Sequence, residues 1–181
     1  DLTGAILTNT NLTGAILRGA NLSHTNLEDQ NFSGRDLTGV DLTGAILTNT
    51  NLTGAILRGG SLLAANLTEA DLSGADLTGA NLNQAVLINA DLTDAKIEQG
   101  KLDQAYLCYA KTIDGTVSGC DLSGRNLAEL DLREIDLSGA NLVGTNLTGV
   151  DLRGVDLTEV NLADINLAGA NLAVANLRGA D

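Results

Sequence analysis

Leucine returns at every fifth residue from Leu2 to Leu177, without an insertion or a deletion. Only Phe32, Ile97, Thr112 and Val117 interrupt the series. A small residue, usually Ala, stands two places before each central residue, as at Ala5, Ala15, Ala45, Ala65 and Ala75. Asp or Asn stands just before it, as at Asn11, Asn21, Asp36, Asp71 and Asn81, and Thr or Ser then often Gly follow it. No standard element has this period. Every fifth residue walks around an α-helix, which repeats at about 3.6 residues, and flips faces on a strand, which repeats at about 2. The pattern therefore demands a path that turns once per repeat: a short extended stretch and then a corner. Asn, Asp, Ser, Thr and Gly make such corners through side-chain-to-backbone hydrogen bonds and tolerance of unusual φ. Stacked coils would pair their backbones about 4.8 Å apart. The central Leu and the small residue two before it would then face inward.

Composition agrees with a core built that way. Among 181 residues there is no Pro, Met or Trp, and the aromatics are Phe32, Tyr106 and Tyr109. The interior must be filled by Leu, Ile, Val and Ala. Gly is plentiful but has no Gly-X-Y period, which excludes collagen. The regular apolar spacing and 44% hydrophobic content argue against disorder. A net charge of −13 disfavours direct nucleic-acid binding and suits a basic partner. No run approaches the roughly 18 apolar residues of a membrane span, and no signal peptide is visible. Two cysteines, Cys108 and Cys120, are too few for a disulfide framework, and a reduced, cytoplasmic setting is the expectation.

The A-(D/N)-L-(S/T)-G pattern resembles the pentapeptide-repeat family, and the resemblance runs through essentially the whole chain. It implies an all-β fold: a right-handed quadrilateral parallel β-helix, a solenoid of about nine coils with four pentapeptides each, formed as a single domain over 1–181 with irregular coils around 96–120. Leu2, Leu7, Leu12, Leu17, Phe32, Leu107 and Leu177 would belong to its leucine-ladder core. It also implies a bacterial, cyanobacterial-type origin. The stretch DLTGAILTNTNLTGAILRG occurs identically at Asp1–Gly19 and Asp41–Gly59. On a four-sided coil its offset is two full turns, so Ile6 lines up with Ile46 and Ile16 with Ile56. This reads as recent duplication or a designed extension rather than a functional signature.

Departures from the pattern are where function is expected. The largest is KIEQGKLDQAYLCYAKTIDGTVSGC, Lys96–Cys120. Here Lys96, Lys101 and Lys111 replace Asp or Asn, Thr112 and Val117 replace Leu, and Gly100 and Gly115 replace Ala, with the phase kept. Packing-compensated drift and a recognition surface are both open readings. On the four-sided plan Val86, Ile88, Tyr106, Cys108 and Tyr109 point outward on successive rungs and make an exposed apolar candidate partner patch. Equally, such residues simply stack well along a sheet face. Arg35 and Arg125 occupy the inward small-residue slot, so each must snorkel out or open the slot. Leu130 and Ile135 are large for that slot and predict wider coils after Arg125. Cys108 is expected to point out and Cys120 in, which makes a bond between them improbable. His24 reads as a solvated corner residue.

No catalytic, cofactor-binding or metal-ligating residues stand out. Most Asp residues share a slot with Asn, and a slot indifferent to charge makes turns rather than acid–base chemistry. The primary reading is a non-catalytic structural scaffold and protein–protein interaction module with an unknown protein partner, no membrane contact and no direct nucleic-acid binding. The resemblance supplies an alternative: a DNA-mimicking inhibitor or protector of a type II topoisomerase, DNA gyrase. Against it, the central positions are not Phe-rich, no C-terminal dimerising helix is present, and the most acidic face (Asp71, Asp91, Asp94, Asp114, Asp131, Glu134 and Asp151) is interrupted by Lys111, Arg133 and Arg153. The chain begins and ends in mid-pattern, so flanking domains or end-to-end self-association are expected to cover the end coils.

Overall fold

The computed structural model describes residues 2–7, 10, 12, 15–128, 132 and 136–181, residue 99 by its backbone alone. They divide into two compact units, Asp1–Ser118 and Gly119–Asp181, and the division falls inside the irregular segment. In the first unit, parallel bridges join residues twenty apart along four ladders. One runs Ile6, Asn26, Ile46, Asn66, Val86; the others run Asn21 to Asn81, Asn31 to Lys111 and Asp36 to Lys96. The second unit repeats the arrangement, with Asp121, Asn141 and Asn161 on one ladder and Asn126, Asn146 and Asn166 on another. Each bridge is one residue long except at β1 (Val86–Ile88) and β2 (Tyr106–Cys108), which pair in parallel with Val86 opposite Tyr106. A single helical turn, α1 (Gln99–Leu102), separates them.

The interior is the predicted ladder. Leu17, Phe32 and the central leucines from Leu22 to Leu92 are buried, with Ala45, Ala55, Ala65 and Ala75 in the small-residue slots. Burying each Leu contributes about 2 kcal/mol, offset in large part by chain entropy. Leu7, Leu12 and Leu107 are half-buried against this core. Leu2 and Leu177 are exposed, because each lies in a coil with a neighbour on one side only. Slots in the second unit hold larger residues, with Val150, Val155 and Val160 all buried. Leu130 and Ile135 lie outside the described residues, as do Asp131, Arg133 and Glu134 of the acidic face. Arg35 and Arg125 are both half-buried in their slots.

Corners explain the indifference between Asp and Asn. The side-chain oxygen accepts the backbone N–H two residues on, from Ser23 to Asn21 and from Thr43 to Asp41, each at 3.0 Å. Either residue supplies that oxygen. The turn closes when the N–H three residues after its first carbonyl bonds back, as Ala45 does to Leu42 at 3.0 Å. The residue before the closing one takes a left-handed φ, such as +63° at Gly54. His24 adopts φ +55° at an exposed corner, with its ring over Gly44. Val174 adopts φ +55° as well, a conformation that a β-branched residue resists.

Corner residues also stack along the ladders. Asn146 donates through Nδ2 to Asn126 at 2.8 Å, and Asn141 to Asp121 at 3.0 Å. Where Asp71 and Asp91 meet, Lys111 adds a compensating charge, its Nζ lying 2.7 Å from Asp91 Oδ2. That ammonium, with the Thr93 hydroxyl, lowers the Asp91 carboxyl to about 2.

Two outcomes are expected. Val174→Gly raises stability by about 1 kcal/mol by removing left-handed strain, read as a higher denaturant midpoint; an unchanged or lower midpoint means the corner is unstrained. A carboxyl lowered in the folded state stabilises above its unfolded pKa of about 3.9, and that contribution is lost as pH falls toward the folded value. The midpoint advantage of the native chain over Lys111→Gln is therefore expected near neutrality and disappears between about pH 4 and pH 2. A pH-independent difference would show that Lys111 acts by packing.

Candidate interaction surface

The irregular segment contains the largest departure from coil geometry in the first unit. After Asp91 pairs with Lys111, the chain turns back on itself, and Lys111 forms an antiparallel bridge with Val117. Thr112 donates its N–H to Thr116 O and Ser118 its N–H to Ala110 O, both at 2.8 Å. Gly115 bonds back to Thr112 O at 2.8 Å with φ +77°. The result is a tight hairpin in place of a pentapeptide coil. The expectation that the phase survives through Thr112 and Val117 is therefore corrected. Val117 is not in the leucine ladder but 64% exposed at the hairpin.

A carboxylate organises the hairpin. Asp114 Oδ1 accepts the Thr112 hydroxyl at 2.6 Å, the Thr116 hydroxyl at 2.8 Å and the Thr116 N–H at 3.1 Å. The Thr112 and Thr116 hydroxyls lower its carboxyl to about 2. A carboxylate so saturated stays ionised near neutrality and braces a turn; it is not poised to transfer protons. Ser118 Oγ is buried at the base of the hairpin with no hydrogen-bond partner among the described residues.

The five residues of the predicted patch are brought together, but not as a surface. Val86, Ile88 and Cys108 are buried, Tyr106 is 7% exposed and Tyr109 is half-buried. The expected exposure is corrected: Val86, Ile88, Tyr106 and Cys108 are the buried side chains of the β1–β2 pair, with Tyr109 half-buried just beyond it. The five-residue pattern gives the direction of a side chain from its coil and says nothing of chain that leaves the coil. This segment holds α1 and the hairpin, where the chain leaves the coil path. Tyr109 adds backbone strain, with φ +55°.

The cysteine expectation is corrected too. Cys108 is buried, and Cys108 and Cys120 are both disulfide-bonded. Cys120 is buried as expected, and the departure is at Cys108, which β2 holds in the interior rather than outward. Disulfides are uncommon in reducing compartments, so the bonded cysteines give the reduced-cytoplasm expectation no support.

Exposed side chains here include Lys96, Glu98, Asp103, Gln104 and Lys111, and at the hairpin tip Asp114, Thr116 and Val117. Sequence reading placed Val117 inside. The Asp114–Gly115 turn signal between Thr112 and Thr116 could have located the reversal. Of the acidic residues grouped by the repeat count, Asp91 is paired with Lys111 in the first unit and Asp151 with Arg153 in the second, at 2.7 and 2.6 Å, so part of their charge is compensated locally. Among the described residues no cluster of three His, Cys, Asp or Glu side chains could hold a metal, and no helix is long and apolar enough to cross a membrane.

Comparison with known proteins agrees with the ladders. The family profile of pentapeptide repeats matches in 8 copies over residues 1–34, 36–74, 65–104, 118–154 and 156–181. No curated protein matches the chain. Among solved structures, the chain is similar to HetL, a pentapeptide repeat protein involved in heterocyst differentiation regulation from the cyanobacterium Nostoc sp. PCC 7120. The identity is 34% over 89% of this chain and 73% of that one, with a TM-score of 0.34. Full-length QnrB1, a plasmid-mediated fluoroquinolone resistance protein, is 19% identical over 99% and 91%, with a TM-score of 0.43. The pentapeptide repeat protein Rfr23 from the cyanobacterium Cyanothece 51142 is 23% identical over 90% and 85%, with a TM-score of 0.29. Right-handed quadrilateral β-helices are the fold of such proteins. With profile matches covering most of its length and the twenty-residue bridge register in both units, this chain belongs to the pentapeptide-repeat family.

Proposed function

We propose that the chain is a non-catalytic scaffold that displays a protein-recognition element at the 111–118 hairpin. The observation that carries this reading is the end of the regular ladder at Lys111 and the exposure of Val117 beyond it. Stacked coils give a stiff support, because neighbouring coils are held together by repeated backbone bonds along the ladders. The hairpin is stiff as well, braced by Asp114. An exposed β-branched residue on such a base orders little chain when it binds, and low ordering cost favours recognition. Tyr106 and its β1 partners are buried and so are not the contact surface.

The test separates contact from support. Proteins retained on the immobilised native chain are expected to be lost with Val117→Arg, at an unchanged melting temperature. Tyr106→Ala is expected to lower stability by about 3 kcal/mol, as loss of a buried aromatic does. If Val117→Arg retains the same proteins as the native chain, the hairpin is not the recognition element. Inhibition of gyrase supercoiling by both the native chain and Val117→Arg would favour a DNA-mimicking role over this one.

A further inference from the structure

The first unit contains a comparison made within its own chain. Thr53–Gly59 (TGAILRG) lies one coil before Ser73–Gly79 (SGADLTG). The same seven residues recur at 13–19, twenty positions before Ser33–Gly39 (SGRDLTG), and residues 15–19 of them are described. Across both windows the one difference is Arg35 in place of Ala75, in the inward slot.

With Ala75, the coils close. Asp76 N–H bonds Ala55 O and Leu57 N–H bonds Asp76 O, each at 2.8 Å. Arg58 grips Asp76 Oδ2 through Nε at 2.8 Å and through Nη2 at 2.6 Å. The Asp76 side chain is 9% exposed, and the Arg58 guanidinium holds its carboxyl well below the usual range. With Arg35, the same side opens. Asp36 N–H and Leu17 N–H make no such bonds among the described residues, although Gly19 N–H still reaches Thr38 O at 2.9 Å. Arg18 is 3.5 Å from Asp36, whose side chain is 46% exposed. Between the coils lies a cleft of about 340 Å³ lined by Ala15, Ile16, Leu17, Arg18, Arg35 and Asp36.

Arg35 is half-buried, and its guanidinium has no hydrogen-bond or ion partner among the described residues. A cation in a core-facing slot is costly unless an anion answers it. Two guanidinium groups and one carboxylate leave the cleft one positive charge to satisfy, and its remaining wall is aliphatic. We propose that this cleft is a binding site for a small amphipathic monoanion. A carboxylate head would bridge Arg35 and Arg18 in the planar geometry that guanidinium favours, and a short aliphatic body would lie on Ala15, Ile16 and Leu17. A phosphate dianion fits less well, since its second charge would face Asp36. The volume is at the small end of ligand pockets, which limits the body to a few carbons.

Hexanoate is the probe, followed by amide NMR titration of the full chain, with 1-hexanol and inorganic phosphate alongside. Saturable shifts are expected with hexanoate at Leu17, Gly19, Asp36 and Gly39. Binding weakens about tenfold or more in Arg35→Ala and in Arg18→Ala, the loss of a charge-assisted contact. Arg125→Ala, which alters the matching slot of the second unit, leaves it unchanged. Arg35→Ala also has a readout of its own: the Asp36 amide is expected to gain exchange protection as the coils close. The proposal is overturned if hexanoate gives no saturable shift by concentrations on the order of 10 mM. Equal binding of hexanol or phosphate, undiminished binding in Arg35→Ala, or an Asp36 amide that exchanges as fast in that variant as in the native chain would each overturn it as well.

Discussion

The backbone bond between neighbouring coils governs the rest of this molecule. Leu57 N–H to Asp76 O and Asp76 N–H to Ala55 O form one such rung, and the same pair of bonds recurs along each ladder. Because the bonds join residues about one coil apart, every side chain inherits a fixed neighbour twenty positions away. Chemistry is then organised in columns. Asn over Asp gains an amide-to-carboxylate bond, as at Asn141 and Asp121. Asp beside Asp is repulsive, and the column of Asp71 and Asp91 ends on Lys111. Leucines stack on leucines for the same reason.

Departures follow from what interrupts a rung. At Arg35 the cause is one side chain: a guanidinium cannot occupy a slot shaped for Ala, so the adjoining coil stands off and a lined space remains. At Lys111 the cause is the backbone, which turns back on itself and bonds within a hairpin. The first kind makes a concave site and the second a projecting one. Both are local, because each coil is held chiefly by its neighbours.

The leucine register made Phe32 and the central leucines legible as core, and the shared Asp/Asn slot made the corners legible as turns. Residues in the irregular segment were less so. Val86, Ile88, Tyr106 and Cys108 were correctly set side by side on adjacent rungs, yet they are buried. Val117, assigned to the interior by its position in the count, is exposed. In each case the count supplied a direction relative to an ideal coil, and burial depends on where the surrounding chain goes.

Within the regular coils, sequence by itself determined the repeat unit, the inward set and the neighbour of each residue, since a strict five-residue period leaves a turning, stacked path as the way to bury the central leucines. Tertiary structure alone decided which rungs form. Within two identical heptapeptides, the described residues 15–19 and 55–59 meet the next coil differently, one against Arg35 and the other against Ala75. Rung formation balances backbone bonds against the volume and charge of a side chain contributed from twenty residues away, and no reading of the heptapeptide alone contains that balance.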